Sequence, residues 1–306
     1  ERGETPILFE AGAEIAENIR QWGHVRMFSP WEFTVDNASV RLLEKHSWQM
    51  PPKADLPTGQ ALREDYLLPF AELPEVRDTI HLNAKVVAIS RSNVDKMKDA
   101  GRDNAPFILH IVYANGDEQL IEARAVIDAS GTWQNPNPIG SNGLPAIGEK
   151  RHADRIFYGM PDLSGDQKMR YANKRVMVVG SGHSAINALL EIAKLKESYP
   201  QTQALWVMRS TNLQRVYGGQ EDDALPARGQ LGSRIKAHVD AGDIQIVAPF
   251  RISKLTESDA GIEVTGETLD GNEALTVDEI VATTGARPDL EILRELRLEL
   301  DPALES

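Results

Sequence analysis

Apolar residues in this chain fall into two kinds of run. Short continuous runs bounded by Gly, Pro, Asn or Asp predict buried strands, while apolar positions three and four apart predict helices covered on one side. The clearest strand is Val176-Met177-Val178-Val179. It leads into Gly180-Ser181-Gly182-His183-Ser184-Ala185, after which Ile186, Ala188, Leu189, Leu190, Ile192 and Ala193 predict an apolar helix. Ala204–Met208 reads as the next strand and Leu231–Val239 as a further helix. Near the start, Ile7-Leu8-Phe9-Glu10 predicts a buried strand that ends in an acid.

Two stretches repeat one order of elements. Residues 80–131 predict a strand at Lys85–Ile89, a polar interruption over 90–105, a hairpin through Asn115-Gly116 and a strand into Gly131. Residues 244–285 predict strands at Ile244–Val247 and near Ile252–Leu255, a hairpin through Asp270-Gly271 and a strand into Gly285. Asn-Gly and Asp-Gly between alternating apolar runs suit the positive φ angles of tight hairpins. The repeat reads as an internal duplication; the alternative is a chance likeness of two common α/β patterns. The expected fold is α/β, with two Rossmann-like (three-layer) dinucleotide-binding domains, each carrying a small β-meander, one inserted in the other. The first covers residues 1–140, the second 141–284, and residues 285–306 return to the first. The first junction falls in the turn-rich Gln134–Gly140, and the return segment is expected to be helical over Leu290–Leu298. Because the chain opens at Glu1 on a second strand without a first, further sequence is expected before Glu1 and after Ser306.

The turn at Gly180 carries the first chemistry. Gly180 permits a sharp turn, Gly182 lets the backbone approach a pyrophosphate, and Ala185 lets helix and strand pack closely. Ser181, His183 and Ser184 fill the turn, and the helix N-terminus offers N–H groups to phosphate. A site for NAD places Asp or Glu at the end of the following strand, where it accepts from the ribose 2′-OH. This chain has Arg209-Ser210 there, with Arg215 shortly after. Arginine suits a 2′-phosphate through charge-assisted bonds, which favours NADP(H); the alternative is a pair of solvated charges. Glu10, after its own strand, stands where a second dinucleotide's ribose acid belongs.

Composition narrows the field. The 33 basic residues are dispersed among 46 acidic ones, giving a net charge of −13, which argues against a nucleic-acid surface. No run reaches the roughly 18 apolar residues of a membrane span. There is no cysteine, so this sequence contains no disulfide, thiolate metal site or Cys-x-x-Cys centre. No metal site is expected from the seven histidines, none of which pair at i, i+4. A cytoplasmic location is the default, and a homodimer is left open.

Glu10 after a strand, Asp128-Ala129-Ser130-Gly131, Gly180–Ala185 and Ala282-Thr283-Thr284-Gly285-Ala286-Arg287-Pro288-Asp289 occur in the order found in two-dinucleotide-domain flavoproteins. The chain resembles the flavin-containing monooxygenases and, through Thr284-Gly285-x-Arg287-Pro288, the pyridine nucleotide-disulphide oxidoreductases. The resemblance implies an NADP(H) domain inserted in an FAD domain, with Glu10 on the FAD ribose, the Val87 backbone at the adenine, and Ala129, Ser130 and Gly131 near the FAD. It places Thr284 and Gly285 where the chain crosses between domains. It also directs attention to Gln21–Trp31, where Trp22 and Arg26, with His24 close by, either wall the flavin or belong to a core; Trp133 invites the same two readings. Gly148 and His152 keep the spacing of the monooxygenase linker signature, whose aromatic ends are replaced by Ala146 and Ile156. Tyr217–Asp223 reads as a solvated connection or a flap.

Disulphide reductases of this kind need two cysteines, which are absent here. The expected activity is therefore transfer of a hydride from NADPH to FAD and on to O₂, with oxygenation of a small-molecule substrate, or to a small acceptor. One alternative is a reductase whose partner or cysteines lie elsewhere. Another is a nucleotide-binding protein without turnover.

Overall fold

The computed structural model describes residues 3–212, 216–217, 226–303 and 305, and divides into two compact units. The first consists of Glu1–Asn135 with Arg287–Ser306, and the second of Pro136–Ala286.

In the first unit β1 (Leu8–Phe9) pairs in parallel with β2 (Ile80–His81). The residues between them form short helices around Trp31, Leu43, Leu62, Tyr66 and Leu73. Asp36 starts the helix Asn37–Lys45 by accepting the Ser39 N–H at 2.8 Å, and Thr58 starts Gly59–Leu62 by accepting that of Ala61 at 3.1 Å. Next comes an antiparallel meander of β3 (Ala84–Arg91), β4 (Phe107–Tyr113) and β5 (Glu118–Ala123), closed on one face by Ala84, Ile89, Leu109 and Ile111. Its second turn holds Gly116 at φ +89°, with the Asn115 side chain accepting from the Asp117 N–H. The β3–β4 register shifts between Val86 and Ala88, so Val87 has no partner in that ladder.

Three expectations are corrected in this unit. Ile7 and Leu8 are about half exposed, not buried, because β1 is two residues long and only β2 pairs with it among the described residues. The segment entering Gly131 forms no strand: no ladder reaches residues 125–130, and Ile127 is 90% exposed. An extended apolar segment becomes a strand only where a neighbour accepts its backbone bonds. Among the described residues the first unit holds a two-stranded parallel sheet and a three-stranded meander. The tail is likewise not a helix over 290–298 but a single 3₁₀ turn, Glu291–Leu293. Lys96 Nζ and Arg102 Nη2 donate at 2.9 Å to the carbonyls of Arg294 and Glu295, and Arg297 donates to Lys96 O. Tertiary donors thus take the carbonyls a longer helix would have used.

The second unit is built on a five-stranded parallel sheet in the order β6-β13-β7-β8-β9. Its strands are β6 (Ile156–Tyr158), β7 (Arg175–Val179), β8 (Gln203–Val207), β9 (Ile244–Val247) and, last in the chain, β13 (Glu279–Ala282). β7 and β13 are buried almost throughout, and β8 at Ala204, Trp206 and Val207, as strands with covered faces must be. Helix His183–Ser198 joins β7 to β8, and Pro226–Asp240 precedes β9. After β9 the chain makes a second antiparallel meander, β10 (Arg251–Ser258), β11 (Gly261–Thr268) and β12 (Gly271–Val277), before it returns as β13. One core joins sheet and meander through Met177, Val179, Phe250, Ile252, Val264, Val277 and Ile280. Here too the register shift lies between the meander's first and second strands, at Ile252/Lys254.

Candidate functional site

β8 and β9 lie on one side of β7, β13 and β6 on the other. The direction of winding reverses at β7, and ligands of open α/β sheets bind beyond the carboxyl ends of the strands at such a point. Two of the motifs meet there. Gly180, directly after β7, adopts φ +138°, and a Cβ on it would stand 2.5 Å from both the carbonyl oxygen and Oγ1 of Thr283, directly after β13. Thr283 is itself fixed, its N–H and its hydroxyl both donating to Val179 O at 2.9 Å. From β8, Val207 O accepts the Gly180 N–H at 3.1 Å and Trp206 Nε1 donates to Gly180 O at 2.7 Å. The first glycine of the turn is therefore gripped by groups from both flanking strands.

Gly182 differs in every respect. It is the N-cap residue of helix 183–198 in ordinary extended backbone, and a Cβ placed on it would meet nothing within 4 Å. Ser181, His183 and Ser184 are exposed with it, whereas Ala185 is fully buried beneath the helix start. The turn thus presents bare backbone and a helix N-terminus outward, the arrangement that receives phosphate.

Arg209 and Ser210 follow β8 and are exposed. Arg209 Nη1 donates to Ser141 O at 3.1 Å, and Ser141 N–H donates to Ile252 O at 3.1 Å, so this guanidinium is steadied by the 139–149 segment. Arg215 and residues 218–223 of the expected loop lie outside the described residues.

Thr284 and Gly285 are tied to the start of the unit. Thr284 Oγ1 donates to Asn137 O at 2.6 Å, Asn137 N–H to Gly285 O at 2.9 Å, and Asn137 Nδ2 to Thr284 O at 3.1 Å, with Gly285 at φ +82°. The residues that follow are organised by a group the sequence reading passed over. Glu149, only 3% exposed, accepts from the N–H groups of Ile139 (3.0 Å) and Ala146 (2.6 Å) and from the Tyr158 hydroxyl (2.5 Å). Burial and this carboxylate push the Tyr158 phenol well above its ordinary range. Gly148, at φ +86°, lies so close to Leu255 O that no Cβ fits, and His152 is buried beside it. The linker spacing Gly148…His152 thus marks packing within this unit.

In the first unit, Glu10 follows β1, half-buried, and its Oε1 accepts the Gly12 N–H at 2.8 Å. Val87 stands at the register shift of β3 described above. Ala129, Ser130 and Gly131 are exposed, held in a turn where Asp128 Oδ1 accepts the Ser130 N–H at 3.0 Å. Trp22 packs with Met27 against the Trp31 core, with Gly59 directly under its ring, while Arg26 is exposed and donates to Leu56 O at 2.8 Å. His24 is exposed and Trp133 Nε1 donates to Gln21 Oε1 at 2.7 Å. The structure brings Gly180–Ala185 next to Thr283 in the second unit, while Glu10 and Val87 belong to the first.

Residues 111–303, well over half the chain, match the model of the pyridine nucleotide-disulphide oxidoreductase family. The chain belongs to that family. Its members are flavin-dependent oxidoreductases that use pyridine nucleotides. Ferredoxin–NADP reductase 1 of Cupriavidus necator is 28% identical to this chain over 177 residues, 57% of this chain and 42% of that protein. The chain thus spans less than half the length of that relative. The bacillithiol disulfide reductase of Bacillus cereus shares its fold with a TM-score of 0.66 at 17% identity, over 98% of this chain and 76% of its own. The ornithine hydroxylase of Pseudomonas aeruginosa does so with a TM-score of 0.63 at 16% identity, over 97% and 80%. Lactococcus lactis thioredoxin reductase gives 0.56 at 15% identity, over 98% and 75%. The likeness to these structures is one of fold, and it extends over both units. No described helix is long and apolar enough to cross a membrane.

Proposed function

We propose that this chain binds NADP(H) in its second unit and the adenosine half of FAD in its first, as part of an oxidoreductase that passes reducing equivalents from NADPH through the flavin to a small acceptor or O₂. The observation that carries the reading is the turn at Gly180–Gly182: one glycine locked by its neighbours, the next open to a pyrophosphate at a 16-residue helix's N-terminus. Gly182, Ser181, His183 and Ser184 surround the phosphates. Arg209 and Ser210 stand at the ribose end, and Thr284 and Gly285 at the neighbouring strand end. Glu10, Val87, Ala129, Ser130 and Gly131 hold the flavin's adenosine, and the Val87 backbone, at the register shift of β3, meets the adenine edge. Trp22, packed on the Trp31 core, contributes to that unit chiefly as a wall, with Arg26 a charge four positions on. The domain division proposed is residues 1–140 and 285–306 around 141–284, within a few residues of the compact units.

A bound flavin supplies hydride acceptance from nicotinamide and onward electron transfer, while the protein positions the two and controls access. With no cysteine in this sequence, these residues supply no dithiol to receive the electrons. Oxygenation of a small molecule is the first reading. The 28% identical ferredoxin–NADP reductase favours a second, electron transfer to a partner protein. Anaerobic mixing of flavin-loaded protein with NADPH is expected to bleach the flavin band near about 450 nm in a single turnover. Absence of bleaching would leave nucleotide binding without turnover. Admitting air with candidate substrates, or ferredoxin or a dye, then separates oxygenation from reductase activity.

Replacing Arg209 by Asp is expected to lower kcat/KM for NADPH relative to NADH by roughly tenfold or more, because a carboxylate repels the 2′-phosphate that a guanidinium attracts. A ratio of the two constants equal to that of the unsubstituted protein would remove the 2′-phosphate argument.

A further inference from the structure

We infer that Trp206 is a positioning residue for the pyrophosphate, acting through the carbonyl of Gly180; this rests on the dinucleotide reading above. Trp206 is the penultimate residue of β8, is fully buried, and occupies the register position opposite Val178 of β7 and Ile246 of β9. Packing alone would be met there by any apolar residue of suitable volume. Its indole N–H, however, is aimed along the strands to the Gly180 carbonyl, 2.7 Å away.

Three bonds or contacts hold Gly180: its N–H on Val207 O, its Cα face against Thr283, and its carbonyl under Trp206. The first two are made by backbone or by a hydroxyl already committed to Val179, and both act at the N–H and Cα of Gly180. Among the described residues only Trp206 donates to the carbonyl, and it thereby fixes the peptide plane joining Gly180 to Ser181. That plane sets the direction of the Ser181 N–H, the first outward donor of the turn. With the indole bond made, the plane has a single orientation before any ligand arrives, and the N–H groups that follow into helix 183–198 are presented together. Without it the carbonyl is left without its donor and the plane is released to rotate, so ligand binding must restore the order. Ser210 and Arg209, at the end of the same strand, face the other end of the nucleotide and do not depend on this bond.

The consequence is separable from stability. Trp206→Phe keeps an aromatic ring in β8 and removes the donor. Affinity is to be measured by calorimetry and by competition, on the full chain, for NADP⁺ and for adenosine and 2′-AMP, fragments that carry no 5′-phosphate. Trp206→Phe is expected to weaken NADP⁺ by about tenfold, the factor that follows from losing one buried hydrogen bond, while the fragments bind as before. In turnover this appears as a raised KM with kcat at saturating NADPH unchanged. Should Trp206→Phe not fold, the benzothienyl analogue of tryptophan placed at position 206 alone retains the shape without the N–H and is measured in the same way. An NADP⁺ affinity that does not move, or a loss shared equally by NADP⁺ and the fragments, overturns the positioning role. Unsubstituted protein that binds no NADP⁺ at any concentration overturns the dinucleotide reading together with it, so the two failures are told apart.

Discussion

Gly180→Ala is expected to cost the protein both its folded stability and its nucleotide affinity, whereas Gly182→Ala is expected to cost affinity alone. At Gly180 the backbone lies at φ +138°, a region an L side chain rarely enters, and the added methyl would stand 2.5 Å from the Thr283 carbonyl oxygen and hydroxyl. Those atoms cannot yield cheaply. Thr283 is anchored by two bonds to Val179 O, and the strand that delivers it, β13, is hydrogen-bonded on both sides in the sheet. Backbone strain and overpacking together put the loss at roughly 2–5 kcal/mol, read as a fall in the urea midpoint at constant slope. The relief of that clash would have to separate β13 from β7, which moves the turn itself. Gly182→Ala meets none of this: its φ is −87° and the space before it is open, so thermal unfolding should shift by no more than about 0.5 kcal/mol. If a pyrophosphate approaches that backbone, the methyl occupies the approach and NADPH affinity falls by at least about tenfold. Equal losses of stability in both variants, or an unaltered NADPH affinity in Gly182→Ala, would contradict the assignment of the turn.

What could be read from residues alone was what neighbours in sequence decide. Val176–Val179, the glycine turn and the apolar face through Ile192 specify strand, turn and helix within twenty or so positions, and β7 and helix 183–198 form as expected. The hairpins at Asn115-Gly116 and Asp270-Gly271 are equally local, their glycines at positive φ. The expectations that failed depended on remote groups. Val126 and Ile127 have strand-like side chains but no ladder partner among the described residues. Leu290–Leu298 has helical spacing, yet Lys96 and Arg102, nearly two hundred positions earlier, bond to its carbonyls. At the candidate site, the glycines and Arg209 announce themselves by type and spacing. Trp206 does not, since an indole inside an apolar strand looks like core until its N–H is seen to have a target. Glu149, within the charged run Glu149-Lys150-Arg151-His152, looks like a solvated residue and is among the least exposed polar groups of the unit.

That burial makes Glu149 the position where a single polar substitution is expected to cost most. Its carboxylate is the meeting point for three donors: the N–H of Ile139 and the N–H of Ala146, both in buried positions, and the hydroxyl of Tyr158 at the end of β6. Glu149→Ala strips all three of their acceptor at once. Each buried donor left unpaired costs about 1–3 kcal/mol, and the volume of the lost side chain adds to this, so a destabilisation of roughly 3–6 kcal/mol is expected in equilibrium unfolding. Glu149→Gln keeps the shape and one acceptor oxygen. It turns an amide donor toward donors on the other side, so it should recover part of the loss and no more. Tyr158→Phe removes a donor together with its need for an acceptor, and should cost only about 1 kcal/mol. The ordering Ala, then Gln, then the Tyr158 variant tests whether the carboxylate organises this segment. The effect should also reach the nucleotide: the segment steadied by Glu149 includes Ser141, whose carbonyl holds Arg209. Glu149→Gln, if it folds, should therefore lower the NADPH-over-NADH ratio in kcat/KM in the direction of the Arg209→Asp change, though by less. Were Glu149→Ala to unfold at the same urea concentration as the unsubstituted chain, the three bonds would carry no net stability and the link to Arg209 would go with them.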